Sequence, residues 1–531
     1  MKLGPFLGIS NRRPDFDLRI KSNTLQGDYL KDAVNVEIDN ARNLRRRPRA
    51  VRVQALTGPH SLFRIDATNY LLVVDSILYA VTLPSYTQTL LKALTSNAAM
   101  SYVKQGADVF YSNGADSGRI TAGAVYPMAL PTPAKPTAAG IGGGLLAGLY
   151  QVAVSYARYG GGGQTAATLL EEGGISDRLQ TELTATGGLR VTLPAATTGA
   201  THINVYLTAA NGEVPQLAAA VSAGTATVDL VALAEGREAT SRRDEPLPAG
   251  RLFMSNGRLC SVKGSLLFIG HPFRPGYHDP VAGFVPFPAT ISVALDAQSG
   301  IFVAADKTYW LPADGQVVDV LPYGAVPGTE FSYPDRSIYG WFGAKGIVLA
   351  TPSGEVDAAM SDEIELTAPA SGFSTIFEDG EFRKVVSCGW CMNLANKAVT
   401  RYEDWGFTSF SGDYGTMSDG IYALEAGGAV EWSVDFGKVD LGSDALKHLP
   451  NAYLGVQSDD LMQLRVQAPG RYGGDYTYLA RGFSEDLSMQ RIDIGKGLRA
   501  TWFELSLSGQ NGADFSLASI DFPAATTKRR I

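Results

Sequence analysis

The chain has 531 residues, of which 45% are hydrophobic and only 18% are charged. A chain of this length is too long for a single hydrophobic core, so we predict about three or four domains. The hydrophobic fraction excludes a disordered chain. The formal net charge of −8 disfavours bulk attraction to nucleic acid or to an anionic membrane, so only local basic patches could bind phosphate.

The residue usage favours an all-β protein that is rich in turns. Glycine occurs 59 times, proline 27, tyrosine 23 and phenylalanine 22. Three cysteines are too few for a disulfide framework and indicate assembly in a reducing cytoplasm. The first residues lack the apolar core and the cleavage site of a signal peptide, so we predict none.

The first predicted element is a β-hairpin. Val34, Val36 and Ile38 alternate with polar residues and suit one buried face of a strand. The polar run at residues 39–43 supplies a turn, and a second strand begins at Leu44.

Five arginines give this hairpin a charged edge. Because Pro48 cannot donate a ladder hydrogen bond, the second strand is expected at an edge or a bulge. The arginines could contact DNA phosphates or an acidic partner, or they could protect the edge as solvated charges. Their alternation between two faces favours contacts to neighbouring proteins over one continuous phosphate track. The candidate partner-binding residues are Arg45, Arg47 and Arg49 on one face, and Arg46 and Arg52 on the other.

A short strand, a tight turn and a second short strand recur along most of the chain. Dipeptides such as Asn113-Gly114 and Asn256-Gly257 supply the positive φ angles of type I′ hairpins. Because ring closure hides strand edges, we predict an irregular β-propeller, and a set of separate sandwiches is the alternative. The segments with this pattern are residues 62–83, 102–120, 258–269, 301–311 and 341–356.

A small domain is predicted to interrupt the propeller. Prolines at residues 127–136 and at Pro246 and Pro248 form stiff linkers on either side of it. The glycine-rich stretch at residues 138–157 is predicted to be a linker that enters a strand. The alternating segment His202–Thr208 before a tight turn resembles fibronectin type III-like inserts.

The end of the chain is predicted to be a β-sandwich, because Phe503, Leu505 and Leu507 alternate with polar residues. The predicted fold is therefore all-β: an irregular β-propeller with an inserted fibronectin type III-like sandwich and a C-terminal β-sandwich. The predicted domains are residues 1–130 (N-terminal arm and first part of the propeller), 131–245 (insert), 246–430 (remainder of the propeller) and 431–531 (C-terminal sandwich).

Candidate chemistry is sparse. Cys388 and Cys391 have the spacing of a redox pair or half a zinc site, but the flanking sequence predicts a strand, so buried structural thiols are favoured. His271 and His278 could be metal ligands, but a surface loop is favoured. The segment 411–417 is close to the Asp-box of sialidase-type propellers, and a plain turn between strands is favoured. We predict no catalytic residues, no metal and no cofactor.

Two parts of the sequence resemble tail nozzle or tail hub proteins of tailed bacteriophages. The resemblance lies in Ala33-Val34-Asn35-Val36 followed by Leu44-Arg45-Arg46-Arg47-Pro48, and in the C-terminal phrases Gly437 to Ser443 and Ile494 to Arg499. It implies a non-enzymatic virion structural protein, made in the bacterial host cytoplasm, that forms a ring of the viral tail around the DNA exit channel.

The resemblance also implies the partners. The chain would bind copies of itself in a cyclic homo-oligomer, with a hexamer favoured and a trimer possible, and would connect neighbouring tail or adaptor proteins. Tail fibres are possible partners, DNA would pass during DNA ejection without specific binding, and no membrane insertion is expected.

A different class of function stays open. A carbohydrate-binding or carbohydrate-cleaving β-propeller of a phage tail would agree with the 23 tyrosines, the 6 tryptophans and the near match to an Asp-box. Cleavage of host polysaccharide, or saturable binding to it, would favour this alternative.

Overall fold

A computed structural model describes residues 1–21, 26–160, 168–233, 235–239, 244–313, 316–333, 335, 337–379, 382–442, 444–470, 473–495, 497–523 and 525–526. The all-β prediction is confirmed, because the described residues contain strands and short 3-10 turns such as Asp15–Asp17 and Gln510–Gly512, but no α-helix. The chain divides into two compact units. The first comprises Met1–Arg64, Leu83–Tyr86 and Ser292–Ile531, and the second comprises Ile65–Thr82 and Thr87–Ile291.

The strands described before residue 65 are short and belong to the first unit. They are β1 (Lys2–Leu3), β2 (Phe6–Ile9), β3 (Arg19–Lys21), β4 (Gln26–Leu30), β5 (Asp32–Val34), β6 (Val36–Ile38), β7 (Leu44–Arg46), β8 (Val51–Ala55) and β9 (His60–Arg64).

The strands of the second unit follow. They are β10 (Asn69–Val74), β11 (Ile77–Thr82), β12 (Thr87–Ala93), β13 (Ser101–Gln105), β14 (Asp108–Ser112), β15 (Ser117–Thr121), β16 (Ala124–Tyr126), β17 (Thr137–Leu145), β18 (Gly148–Gly160), β19 (Thr168–Ile175), β20 (Leu179–Leu183), β21 (Gly187–Thr192), β22 (His202–Leu207), β23 (Gln216–Ser222), β24 (Thr227–Leu230), β25 (Glu245–Pro246), β26 (Arg251–Ser255), β27 (Arg258–Lys263), β28 (Leu266–His271), β29 (Arg274–His278) and β30 (Phe284–Pro286).

The remaining strands return to the first unit. They are β31 (Val293–Asp296), β32 (Gly300–Ala304), β33 (Thr308–Pro312), β34 (Val318–Leu321), β35 (Phe331–Tyr333), β36 (Ile338–Gly343), β37 (Gly346–Ala350), β38 (Val356–Asp357), β39 (Ser374–Asp379), β40 (Phe382–Ser387), β41 (Trp390–Asn393), β42 (Val399–Arg401), β43 (Ser409–Ser411), β44 (Tyr414–Met417), β45 (Gly420–Ala423), β46 (Ser433–Val439), β47 (Lys447–His448), β48 (Asn451–Ser458), β49 (Met462–Ala468), β50 (Gly474–Leu479), β51 (Ser488–Asp493), β52 (Arg499–Ala500), β53 (Phe503–Gly509), β54 (Phe515–Asp521) and β55 (Ala525–Thr526).

Short antiparallel meanders recur in both units, as the alternating pattern predicted. In the second unit they are β10–β12, β13–β16 and β26–β28 with β30, and in the first unit they are β31–β34, β35–β38, β39–β42 and β43–β45. The turn between β26 and β27 has positive φ at both Asn256 and Gly257, the type I′ geometry that this dipeptide favours. The last meander gains a fourth strand from the start of the chain, because β8 pairs antiparallel with β45.

The segment between the prolines has its own hydrophobic core. Strands β17, β21 and β24 form one sheet, and β18, β19, β20, β22 and β23 form another. Val152, Val154, Ile203 and Val205 are buried in the shared core. The glycine-rich stretch, predicted to be a linker that enters a strand, is strand almost throughout: β17 forms its first part and β18 the rest. Its glycines allow close pairing, since a Cβ on Gly143 would lie 2.6 Å from a backbone oxygen of β21.

The C-terminal strands form two larger sheets that share strands with the start of the chain. One has the order β51-β48-β54-β7-β6, with β1 also on β54, and the other has the order β39-β40-β41-β42-β5-β46-β53-β49-β50. The shared core includes Leu3 and Val36 from the N-terminal strands, and Leu505, Leu507 and Ile520 from the C-terminal strands.

The predicted hairpin forms, but its charged strand is not an edge. Strand β7 pairs with β6, where Ile38 lies opposite Leu44, and it also pairs with β54, where Leu517 lies opposite Leu44. The prediction of an exposed edge was wrong because Pro48 lies beyond the end of β7 and removes no hydrogen bond from that strand.

Candidate functional site

The predicted partner-binding arginines lie on and just after β7, in a stretch that we call the arginine segment (residues 45–52). The stretch begins inside a sheet and ends on β8, at the end of a different sheet. Leu44 is fully buried, and strand alternation turns the next side chain, Arg45, towards the opposite face. The five arginines therefore lie in different environments.

Arg45 is bound within the chain. Its Nε donates to Oε2 of Glu37 at 3.0 Å, and a terminal nitrogen lies 3.4 Å from Oδ2 of Asp379. The guanidinium also lies over the ring of Phe382, 4.0 Å from the ring centroid. Burial disfavours the charged form, but the two carboxylates outweigh it and raise the pKa of Arg45.

Glu37 is the centre of a buried charge network. Its side chain is fully buried and receives hydrogen bonds from Nζ of Lys384 at 2.5 Å and from the hydroxyl of Tyr402 at 2.5 Å, both on Oε1. Nζ of Lys384 also donates to Glu425. Burial alone would lower the pKa of Lys384, but the neighbouring carboxylates raise it, while burial raises the pKa of Tyr402 well above its usual value. The network therefore holds Lys384 as an ammonium ion.

Arg46 contacts the C-terminal strands. A terminal nitrogen donates to the backbone oxygen of Gly512 at 2.8 Å, and the other lies 3.5 Å from Oδ2 of Asp514. Its side chain is only 10% exposed. Arg46 therefore stabilises the junction between β7 and the turn that precedes β54.

Arg47 is buried. Its Nε donates to Oδ1 of Asn35 at 2.8 Å, and a terminal nitrogen donates to the backbone oxygen of Glu403 at 2.9 Å. The guanidinium lies over the rings of Tyr402 and Trp405, at 5.1 and 5.3 Å. Burial lowers the pKa of Arg47, and its acceptors among the described residues are an amide oxygen and backbone oxygens rather than carboxylates.

Arg49 and Arg52 are exposed. Arg52 lies on β8, and its guanidinium is 2.9 Å from Oδ2 of Asp419, an ion pair in which both side chains are about half exposed. Such surface pairs contribute at most about 1 kcal/mol. Within the described part of the chain, Arg49 has no ion pair, although its backbone oxygen accepts a hydrogen bond from Ala426.

A groove of about 810 Å³ opens beside β7. Its charged lining consists of Arg45, Arg46 and Arg47 and of seven carboxylates. The carboxylates belong to Asp39, Asp379, Glu425, Asp459, Glu485, Asp486 and Asp514. Because carboxylates outnumber arginines, the groove disfavours an anionic ligand such as a nucleic acid phosphate.

The structure thus divides the predicted site into two parts. Arg45, Arg46 and Arg47 are bound by other parts of the same chain, and Arg49 and Arg52 face outward. The sequence did not indicate the buried partners Glu37 and Lys384. Glu37 has a weak signal, a carboxylate within an otherwise apolar short strand, whereas nothing in the local sequence distinguishes Lys384 from a surface lysine.

The cysteines and the Asp-box-like segment are structural. Cys391 is buried and Cys388 is half-buried, and burial raises their pKa values to about 12 and about 11, so both stay thiols at neutral pH. Ser411 lies opposite Tyr414 across a two-residue loop, which confirms the predicted turn between strands.

The two histidines lie in strands rather than in a surface loop, which corrects the prediction. His271 ends β28 and His278 ends β29, and the two strands pair with each other. Nε2 of His271 is 2.7 Å from Oδ1 of the buried Asp244, and Nδ1 of His278 is 3.1 Å from the backbone oxygen of Glu245. The described residues contain no group of three or more His, Cys, Asp and Glu side chains placed to hold a metal ion. They also contain no helix with the length and apolar character needed to cross a membrane.

No protein-family model matches the chain, and no curated protein matches it. A computationally designed protein matches at 7% identity over 71% of this chain and 99% of its own length, with a TM-score of 0.33. A glycoside hydrolase family 43 arabinoxylan arabinofuranohydrolase from Bacillus subtilis matches at 9% identity over 65% of this chain and 94% of its own, with a TM-score of 0.19. The extracellular domain of a hybrid two-component system from B. thetaiotaomicron matches at 9% identity over 91% of this chain and 64% of its own, with a TM-score of 0.21. TM-scores this low do not indicate a shared fold or a shared function.

Proposed function

We propose that the chain is a non-enzymatic structural protein of a bacteriophage tail, a nozzle or hub that forms a ring around the DNA exit channel. The resemblance of its N-terminal and C-terminal phrases to this class supports the identity. The observation that carries the proposal is the pairing of N-terminal strands of the first unit with strands late in the chain, in which β1 and β7 pair with β54 and β8 pairs with β45. This pairing ties the start of the chain to strands hundreds of residues later, so the start cannot separate without breaking a sheet.

The four-stranded meanders are proposed to be blades of an irregular β-propeller. Propellers close their ring when a strand from one end of the chain completes a blade built by the other end, and the pairing of β8 with β45 is of this kind. The segment β17–β24 is proposed to be a fibronectin type III-like domain inserted between blades.

The charges of the arginine segment support passage of DNA without specific binding. Glu37 and Asp379 compensate Arg45, Asp514 lies near Arg46, and buried acceptors bind Arg47. Arginines held in this way offer no continuous track of free cations to the phosphate backbone. The proposed partners are therefore other copies of the chain and neighbouring tail or adaptor proteins.

Native mass spectrometry of the full chain, together with cryo-electron microscopy of virions that contain it, tests the proposal. We expect a closed ring, a hexamer of 56.4 kDa subunits or a trimer, located on the tail axis. A chain that is monomeric in solution and absent from virions would overturn it. Cleavage of host polysaccharide by the purified chain would overturn its non-enzymatic part and favour the carbohydrate-active alternative.

A further inference from the structure

Five large apolar side chains are exposed on strands β50 and β51 and on the segment that joins them. Each is about half exposed or more, with exposed fractions between 49% and 67%. They all fall within fourteen residues of sequence, whereas isolated exposed apolar residues are ordinary on protein surfaces. This patch, which we call the C-terminal patch, consists of Tyr476, Leu479, Phe483, Leu487 and Met489.

The patch includes a strand edge that is open along most of its length. Strand β50 is the last strand of the nine-stranded sheet and pairs with β49, and just beyond its end Ala480 forms an isolated bridge with Ile492 on β51. Residues Asp475, Tyr476 and Thr477 are exposed in succession, so both faces of β50 are accessible. An edge strand with this much exposed apolar surface is a template for another strand.

Strand β8 presents a second open edge. It ends the sheet β43-β44-β45-β8, and Val51 and Val53 on it are 42% and 36% exposed. Arg52, between the two valines, is also exposed, so neither face of β8 is covered. This edge carries β-branched residues that favour strand pairing.

Charges of opposite sign lie beside the two edges. Glu485 and Asp486 lie between Phe483 and Leu487 and line the groove beside β7, and neither takes part in an ion pair among the residues that the structure describes. Arg481, in the same segment, pairs with Asp493. Arg49 precedes β8, and Arg52 lies on it. The surface ion pair between Arg52 and Asp419 is weak enough for Arg52 to exchange Asp419 for another carboxylate. The edges are therefore complementary in hydrogen-bonding groups, apolar surface and charge.

We propose that these edges join copies of this chain: β50 and the C-terminal patch of one copy bind β8 of the next copy, with Glu485 and Asp486 facing Arg49 and Arg52. Two different surfaces meet in this contact, so it is heterologous and propagates head to tail until a ring closes. The inference rests on the proposed ring and specifies its subunit contact. The carboxylates beside the patch disfavour DNA or an anionic membrane as the occupant.

Cysteine crosslinking tests which surfaces meet. Val53→Cys and Thr477→Cys lie at exposed positions on β8 and β50. Under oxidising conditions we expect a mixture of the two variants to form disulfide-linked dimers, and the double variant to form a ladder that ends at the ring size. Neither single variant should crosslink with itself. Leu90→Cys is the matched control, because it is exposed on β12, an edge strand that the proposal does not use.

Charge reversal tests the electrostatic part. The variant with Arg49→Glu and Arg52→Glu should associate about tenfold more weakly or worse, as should the variant with Glu485→Lys and Asp486→Lys. Combining all four changes should restore the ring, because the complementary charges return in exchanged positions. Arg258→Glu, at an exposed site outside the contact, serves as the control.

The results separate this contact from the ring itself. A ring that persists while the mixture does not crosslink and charge reversal changes nothing overturns this interface and leaves the proposed function standing. Crosslinking of Thr477→Cys with itself indicates a two-fold contact and also overturns the inference. A chain that stays monomeric at all concentrations overturns both the interface and the ring.

Discussion

At the residue scale, the buried charges of this chain occur where segments distant in sequence meet. Glu37 and Lys384 are separated by 347 residues and are almost completely buried as a pair. Replacing such a pair with apolar residues can be neutral, but removing one member leaves a buried charge without compensation. The pair therefore makes the fold sensitive to single substitutions.

Lys384→Met tests this sensitivity. We expect the free energy of unfolding to fall by about 3–5 kcal/mol, because Glu37 keeps only Arg45 and Tyr402 as partners in a buried site. Urea unfolding followed by tryptophan fluorescence measures the change. Lys397→Met is the control, since its pair with Asp357 is half exposed and should contribute less than about 1 kcal/mol. Equal effects of the two substitutions would contradict the argument.

The arginine segment should separate into structural and exposed members. Arg47→Ser should destabilise the fold by about 2–4 kcal/mol, because Asn35 and the backbone oxygen of Glu403 lose a buried donor. Arg49→Ser should change stability by less than about 0.5 kcal/mol, since its side chain is exposed. Thermal unfolding followed by circular dichroism compares the two variants. A stable Arg47→Ser protein would place this arginine among the dispensable ones.

At the element scale, charged residues join the insert and the segment that follows it to the neighbouring meanders of the second unit. Glu171 pairs with Arg119 at 2.7 Å, and Asp244 pairs with both His271 and Arg274. The side chains of Glu171 and Arg119 are each only 9% exposed. The insert has its own core, and these ion pairs contribute to its attachment.

Glu172 should make stability depend on acid pH. Its burial alone would raise the pKa, but hydrogen bonds from Ser155, Tyr206, Asn204 and Arg237 lower it below the usual value of 4.5. A lowered pKa contributes stability above pH 4.5 that is lost as pH falls through the folded-state pKa. The stability difference between the unmodified chain and Glu172→Gln should therefore be largest near neutral pH and shrink below about pH 4.5. A difference that stays constant from pH 7 to pH 3 would contradict this.

Excision of residues 136–243 tests whether the insert is autonomous. We expect the excised piece to fold alone with a cooperative melt, because Val152, Ile203 and their neighbours form a core of their own. The remaining chain should stay soluble but lose stability, since Arg119 loses Glu171. Adding Arg119→Met to the shortened chain should recover part of that loss. An unfolded piece together with an aggregated remainder would show that the insert belongs to a neighbouring core.

At the scale of the whole molecule, the pairing of β8 with β45 joins the start of the chain to a meander nearly four hundred residues later, since Val51 lies opposite Ala423. Replacing both with cysteine should allow a disulfide, because the Cα atoms of directly opposed residues on paired strands are separated by a distance that a disulfide can span. The oxidised variant should gain about 2–5 kcal/mol, measured by thermal unfolding, with the reduced variant and Val51→Cys alone as controls. Failure of the disulfide to form would contradict the register.

The sequence by itself determined the local features of this protein. Alternating apolar residues and turn dipeptides specify short antiparallel strands, because side-chain period and φ preference act within a few residues. The hairpin of β6 and β7, the type I′ turn at Asn256-Gly257 and the turn between Ser411 and Tyr414 follow from such local signals. The exposed position of Arg49 agrees with them as well.

Only the tertiary structure decided which strands become neighbours. Every strand offers the same backbone donors and acceptors on its two sides, so no local pattern specifies that β7 pairs with β54 or that β8 pairs with β45. Strand pairing therefore determines which arginines are bound within the chain. Pairing on both sides of β7 brings Arg45 and Arg46 against carboxylates from distant strands, and Lys384 becomes buried only because Glu37 and Glu425 converge on it. The burial of charge depends on partners hundreds of residues away, so the local sequence does not predict it.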